Sequence, residues 1–123
     1  MFYKQNQSYE LDEKLFKNPT SEYRAAPFWA WNCKLNKDIL NEQIDIFKKM
    51  GFGGFHMHSR IGMSTPYLKD EFMGLIKFCT QKAEQENMLA YLYDEDRWPS
   101  GSAGGYVTKT HKYRQRYLIF SQN

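Results

Sequence analysis

Apolar and polar residues along this chain recur with two different periods, and the changes of period mark its elements. Leu40, Ile44 and Phe47 recur at i, i+4 and i+7, with Ile39 and Met50 beside them. This stripe predicts an amphipathic helix over 37–50, with Asn36 as N-cap and Gly51 as the stop after its last turn. A second stripe, Phe72, Leu75, Ile76, Cys79 and Ala83, predicts a helix over 69–86. Asn87 takes the left-handed stop there. Short apolar runs flank the helices and predict strands at 27–32, 53–58 and 88–94. Gly53 and Gly54 let the second strand pack closely. Three weaker patterns complete the pass. Leu11, Leu15 and Phe16 share one face of a short helix over Tyr9 to Phe16, ended by Asn18-Pro19. Gly105 to Arg116 reads as a third, basic helix, and Tyr117 to Phe120 as a final strand.

Strands alternating with helices imply parallel strands joined by right-handed crossovers. Two α/β architectures compete, an open doubly wound sheet and a (β/α) barrel. The first strand-to-helix turn, NCKLNKD, lacks the G-x-G-x-x-G loop of a dinucleotide site. A closed barrel needs eight units and about 250 residues. The expectation is therefore a partial (β/α) TIM-type barrel of about three parallel strand–helix units. Residues 1–26 form a lead-in and 27–123 the partial barrel.

Composition narrows the function classes. At 41% hydrophobic and 25% charged, the 123 residues fit one globular domain. A formal charge of +3 is too small to argue for nucleic acid. Cys33 and Cys79 lie far apart and outside any metal spacing, and they read as reduced, buried thiols of a cytoplasmic protein. MFYKQNQSYE carries no signal pattern, and no apolar run reaches membrane length, so no membrane partner is expected. The aromatic content of 17% fits either core packing or a ring-binding surface.

Each expected strand ends in polar groups, which is where parallel folds keep their sites. The first offers Trp29, Trp31 and Asn32, the second His56, His58 and Arg60, and the third Asp94, Glu95 and Asp96. His56 and His58 are two apart on a strand and point to one side. With Asp94 they have the residue types of a three-ligand metal site with an open position. They equally suit hydrogen bonds to substrate hydroxyls, or a purely structural role. Arg60 suits an ion pair with Asp94 or Asp96, or a carboxylate clamp. Glycosidase carboxylates must flank the scissile bond, about 5–5.5 Å apart for retention or about 6.5–9.5 Å for inversion. Asp94 and Glu95 come from one strand end, so a second group has to come from elsewhere. Trp98 offers a plane for a sugar ring, or a plug over the mouth. Gly101, Gly104 and Gly105 could cradle an anion, but without the Lys-Ser/Thr of a nucleotide loop. KTHKYRQRY, basic with interleaved aromatics, reads as a solvated helix face rather than an RNA contact.

Three segments carry a resemblance: PFWAWN (Pro27 to Asn32), GFGGFHMHSRIGMSTPYL (Gly51 to Leu68) and YLYDEDRWPSGSAGGYV (Tyr91 to Val107). Together they resemble the N-terminal part of the catalytic barrel in large α-L-rhamnosidase-type glycoside hydrolases. The likeness runs over roughly Asn18 to Arg116. It implies a (β/α) barrel that cleaves terminal deoxy-sugars from glycans, with Trp29, Asn32, His58, Arg60, Asp94, Glu95 and Trp98 facing the sugar pocket. Glu95 and Asp94 are then the catalytic candidates. Trp29, Asn32, His56, His58, Arg60 and Trp98 are the substrate-binding ones, with no cofactor and no metal. Members of that family are several times longer. The expectation is a truncated, cytoplasmic piece with an incomplete catalytic set, inactive alone. Its apolar barrel-facing residues, such as Phe55, Met57 and Leu92, would lack partners, and its exposed edge would favour a homo-oligomer. The alternatives are a non-catalytic carbohydrate-binding module, or a metal-dependent hydrolase using His56 and His58.

Overall fold

The computed structural model describes residues 8–122. Its elements in chain order are α1 (Glu13–Lys17), β1 (Phe28–Trp31), α2 (Lys37–Lys49), β2 (Gly54–Ser59), α3 (Asp70–Gln85) and β3 (Leu89–Leu92), with short 3-10 turns between and after them. The strands form one parallel sheet in the order β1-β2-β3. These are the strands and main helices that the sequence periods predict, to within about two residues, the usual uncertainty of element ends.

Local chemistry explains why the two long helices start and stop where they do. The Asn36 side chain accepts from the amides of Asp38 and Ile39 at 2.9 and 3.1 Å, satisfying two donors of the first turn of α2. Gly51 (φ +84°) and Asn87 (φ +53°) take the left-handed conformation after α2 and α3. Each turn then feeds directly into the next strand.

Strand alternation sorts the side chains onto two faces. Trp29, Trp31, Phe55 and Met57 lie on one face and are buried with Leu40 and Ile44 of α2 and Phe72, Leu75, Cys79 and Ala83 of α3 in a single core cluster. Both helices therefore cover the same face of the sheet. T-shaped contacts of Trp29 with Phe47 and Phe55, at 5.3 and 5.1 Å, knit this core. Burial pushes the Cys79 thiol up to about 12, so it behaves as an inert apolar group, whereas Cys33, expected to be buried as well, lies in the turn after β1 and is exposed. At Gly54 the backbone of β3 lies close against β2. A Cβ there would stand 2.4 Å from the Leu89 carbonyl oxygen, so only glycine allows this spacing.

The other face carries Phe28, Ala30, His56, His58, Tyr91 and Tyr93 and is left largely uncovered. Phe28 is 54% and Tyr91 41% exposed. Phe55 and Met57, expected to face the barrel interior, instead face the helices. They sit under the helices at 0% and 1% exposure. Leu92 shares their face, since its partner across the ladder is Met57, and it remains half-exposed, with only short 3-10 turns after β3 among the described residues.

The end of the sheet where the strands begin is tied down by polar contacts. Arg24 donates to the carbonyls of Pro19 and Gly51 and to the Asn18 side chain. Ser21 Oγ donates to the Asn87 carbonyl, and Lys48 Nζ to that of Glu86. The lead-in is therefore stitched to the body, although α1 itself buries nothing. It starts at Glu13 rather than Tyr9, because Asp12 caps it through the amides of Lys14 and Leu15. Leu11 then falls outside the helix, and Phe16 stays exposed.

Two expectations fail after β3. Gly105–Arg116 is not a helix but a pair of 3-10 turns, Ala103–Gly105 and His111–Tyr113. Gly101, Gly104 and Gly105 all adopt positive φ, which breaks any helical start. Tyr117–Phe120 pairs with no strand and is exposed along its whole length. Among the described residues no helix is long and apolar enough to cross a membrane.

Candidate functional site

Parallel strands share a C-terminal end, and the polar residues expected there gather around it. The uncovered face leads up to this rim through two stacked pairs. His56 lies flat against Tyr91 (ring centroids 4.4 Å apart, planes 12° apart) and His58 against Tyr93 (4.2 Å, 11°). Phe28 of β1 closes on the other side of His58 at 3.9 Å. His58 is thus clamped between rings of both neighbouring strands. Burial, then the charges of His56 and Arg60, hold its pKa below the usual 6.5, so the imidazole is neutral at physiological pH. Its Nδ1 is buried with no hydrogen-bond partner among the described residues.

Arg60 follows β2 and is positioned by its own backbone, whose amide donates to the Trp31 carbonyl. Its guanidinium lies over Phe28, 5.6 Å from the ring, and donates to the Trp98 carbonyl at 3.1 Å. The ion pair expected between Arg60 and Asp94 or Asp96 does not form. Trp98, half-exposed, therefore stands at the rim in a line of contacts running through Arg60 and Phe28 to His58.

The three acids after β3 do three different things. Asp94 is exposed, and its backbone carbonyl accepts from the Tyr67 hydroxyl at 2.9 Å. Burial, followed by the charges of Asp96, Asp94 and Glu95, raises the pKa of that hydroxyl, which keeps it a donor. Glu95 Oε1 accepts from the amides of Ser100 and Gly101 at 2.6 and 2.5 Å. These bonds favour the charged form and hold the carboxyl below its usual range, the Gly101 amide contributing most. Glu95 is thus a carboxylate that braces the Gly-rich loop. It is suited to accept protons or hydrogen bonds rather than to donate a proton. Asp96 turns inward and is almost fully buried, accepting from Ser59 Oγ at 2.6 Å and paired with Arg97. Arg97 in turn donates to the Met63 carbonyl at 3.0 Å, and its amide to that of Ser59.

This Ser59–Asp96–Arg97 group fastens the acidic loop to the end of β2, and the sequence reading missed it. The available signal was Ser59, a hydroxyl in helix-facing register at the end of a strand, next to which a buried acid finds a donor.

Trp29 is not part of the uncovered surface. It lies on the helix-facing side at 6% exposure, its indole N–H donating to Gln43 at 2.8 Å. It borders instead a groove of about 380 Å³ between β1 and α2, which Asn32 also lines from the end of β1. Among the described residues no three His, Cys, Asp or Glu side chains come together closely enough to hold a metal ion. His56, His58 and Asp94 therefore do not make a ligand set. Asn32 directly follows β1, Arg60 follows β2, and Glu95 and Trp98 follow β3. They stand at the C-terminal end of the sheet near His58, while His56 lies two residues earlier along β2.

No protein-family model matches the chain, and no curated protein matches it. Solved structures do match. One is described as the structure of a rhamnosidase from Novosphingobium sp. PP1Y, superimposing with a TM-score of 0.60 at 23% sequence identity over 70% of this chain. The match covers 9% of that far longer chain, and at this identity it establishes a shared α/β fold with part of a rhamnosidase.

Proposed function

We propose that the chain carries three strands and the two helices connecting them from the opening of a rhamnosidase-like glycoside hydrolase barrel, and that its uncovered face and rim contact a terminal deoxy-sugar. The observation that carries this reading is the contact line Trp98–Arg60–Phe28–His58 beside the Glu95-braced loop. It offers a half-exposed aromatic plane, a neutral imidazole, a guanidinium and an ionised carboxylate at one end of the sheet. Deoxy-sugars present both a ring C–H face and hydroxyls, and such a mixture of aromatic and hydrogen-bonding groups matches them. Both helices on one face and strands in sequential order also fit the opening turns of a barrel rather than a doubly wound sheet.

Catalysis needs a proton donor opposite Glu95 or Asp94, and neither carboxylate is one, since both come from the end of β3 and Glu95 is held ionised. The chain by itself is therefore a sugar-contacting surface without turnover. Titrating L-rhamnose up to about 50 mM into isotope-labelled protein tests this, since weak single-sugar sites fall in the millimolar range. Saturable shifts are expected at Trp98, His58 and the Ser100–Gly101 amides, and they should vanish in Trp98→Ala. An absence of shifts at the rim would refute the reading. Hydrolysis of an aryl rhamnoside above background, lost in Glu95→Gln, would refute the incomplete catalytic set.

A further inference from the structure

Two stretches of backbone have no strand partner among the described residues. The first is the outer edge of β3. Leu89 and Tyr93 donate their amides to Gly53 and Met57 of the β2 side. Alternation along a strand therefore points the Ala90 and Leu92 amides the other way, where no strand lies among the described residues. The second is Tyr117–Phe120, four consecutive residues of strong strand propensity exposed at 77, 82, 86 and 88%. An exposed apolar run and an open strand edge are each prone to association.

The segment stands on an arm. Tyr106 is the last anchor to the body, its hydroxyl donating to the Tyr67 carbonyl and its ring lying under Lys69. From Val107 to Tyr117 the hydrogen bonds are local ones, such as Arg114 to the carbonyls of Thr108 and Lys109. An eleven-residue arm reaches at most about 40 Å, enough to cross to a neighbouring molecule.

We propose that Tyr117–Phe120 of one copy adds to the β3 edge of a second copy, and that two copies exchange arms reciprocally in a twofold dimer. Charge sets the direction. The arm carries Lys109, Lys112, Arg114 and Arg116 and no acid, while the C-terminal end of β3 presents Asp94, exposed and without an ion pair among the described residues. Antiparallel addition brings Arg116 to that end, and the apolar run beside the half-exposed Tyr91 and Leu92.

Sedimentation of the 123-residue chain over a range of concentrations, together with amide hydrogen exchange, tests this. A monomer–dimer equilibrium is expected, with the Ala90, Leu92 and Tyr117–Phe120 amides protected only where the dimer is populated. Ile119→Lys places a charge in the new pair, and Arg116→Glu opposes Asp94. Each should weaken the dimer at least about tenfold while leaving the dilute monomer folded. A monomer at every concentration overturns the proposal. So does protection that is independent of concentration, which would mean that the arm folds back on its own edge. A dimer indifferent to both substitutions overturns it as well.

Discussion

Removing the Asp96 carboxylate gives the sharpest test of how the acidic loop is held. Asp96 is 2% exposed and accepts from Ser59 Oγ at 2.6 Å, while also pairing with Arg97. A buried hydrogen bond to a charged group contributes about 1.5–3 kcal/mol. The Arg97 pair adds little, because the guanidinium side is 38% exposed and stays hydrated once the acid is gone. Asp96→Ala should therefore cost about 2–3 kcal/mol, a large share of the 5–15 kcal/mol typical of a domain. Ser59→Ala should cost about 1–3 kcal/mol, because it leaves a buried charge short of a donor. With Asp96 already absent, Ser59 has no carboxylate left to serve. The double variant should thus fall short of additivity by about 1–2 kcal/mol. Urea unfolding at one fixed protein concentration, followed by tryptophan fluorescence, measures all four corners of the cycle. Additivity within about 0.5 kcal/mol would show that the two side chains act independently and that the contact does not anchor the loop.

Two pH effects follow from groups at the rim. The neutral form of His58 is favoured in the folded state, so the unfolded chain binds the proton first. Stability from this group is present above 6.5 and is lost as pH falls through the lowered folded value. Titration of the ring resonances should give a midpoint below that of a free histidine, and Phe28→Ala, by admitting water, should bring the two together. Glu95 has the same sign in the carboxylate range. The brace is present above the usual glutamate value and is released as pH falls through the depressed one. The Ser100 and Gly101 amide shifts should follow that depressed midpoint, and in Glu95→Gln they should lose the titration altogether.

The frame of this fold was legible because its signals are local. Leu40, Ile44 and Phe47, or Phe72, Leu75 and Cys79, keep helical spacing in any surroundings, and Asn36, Gly51 and Asn87 punctuate the chain by backbone preference alone. Which face of the sheet would be covered was a tertiary matter. The alternation of Phe28 and Ala30 with Trp29 and Trp31 identifies two faces but does not say which one the helices take. Trp29 was therefore assigned to the pocket when it belongs to the core. The acids illustrate a second kind of failure. Asp94, Glu95 and Asp96 are adjacent and chemically similar, and only the turn after β3 decides that one faces water, one braces a loop and one is buried. Residues 105–116 misled because basic and aromatic residues at mixed spacing imitate a helix, whereas the positive φ of Gly104 and Gly105 starts a different path.

The polar stitching at the start of the strands divides labour within the molecule. Arg24, Ser21 and Lys48 bind backbone carbonyls, and those acceptors are present whatever side chains the loops carry. Their hold on the frame is thus independent of sequence at the opposite end. On the proposed reading, substitutions among Asn32, Arg60, Glu95 and Trp98 should alter sugar contact without loosening the base on which the strands stand. The chain is accordingly a chassis with an interchangeable top. On that reading, variants with altered ligand preference should fall at that rim, while Arg24→Ala and Ser21→Ala should lower stability first.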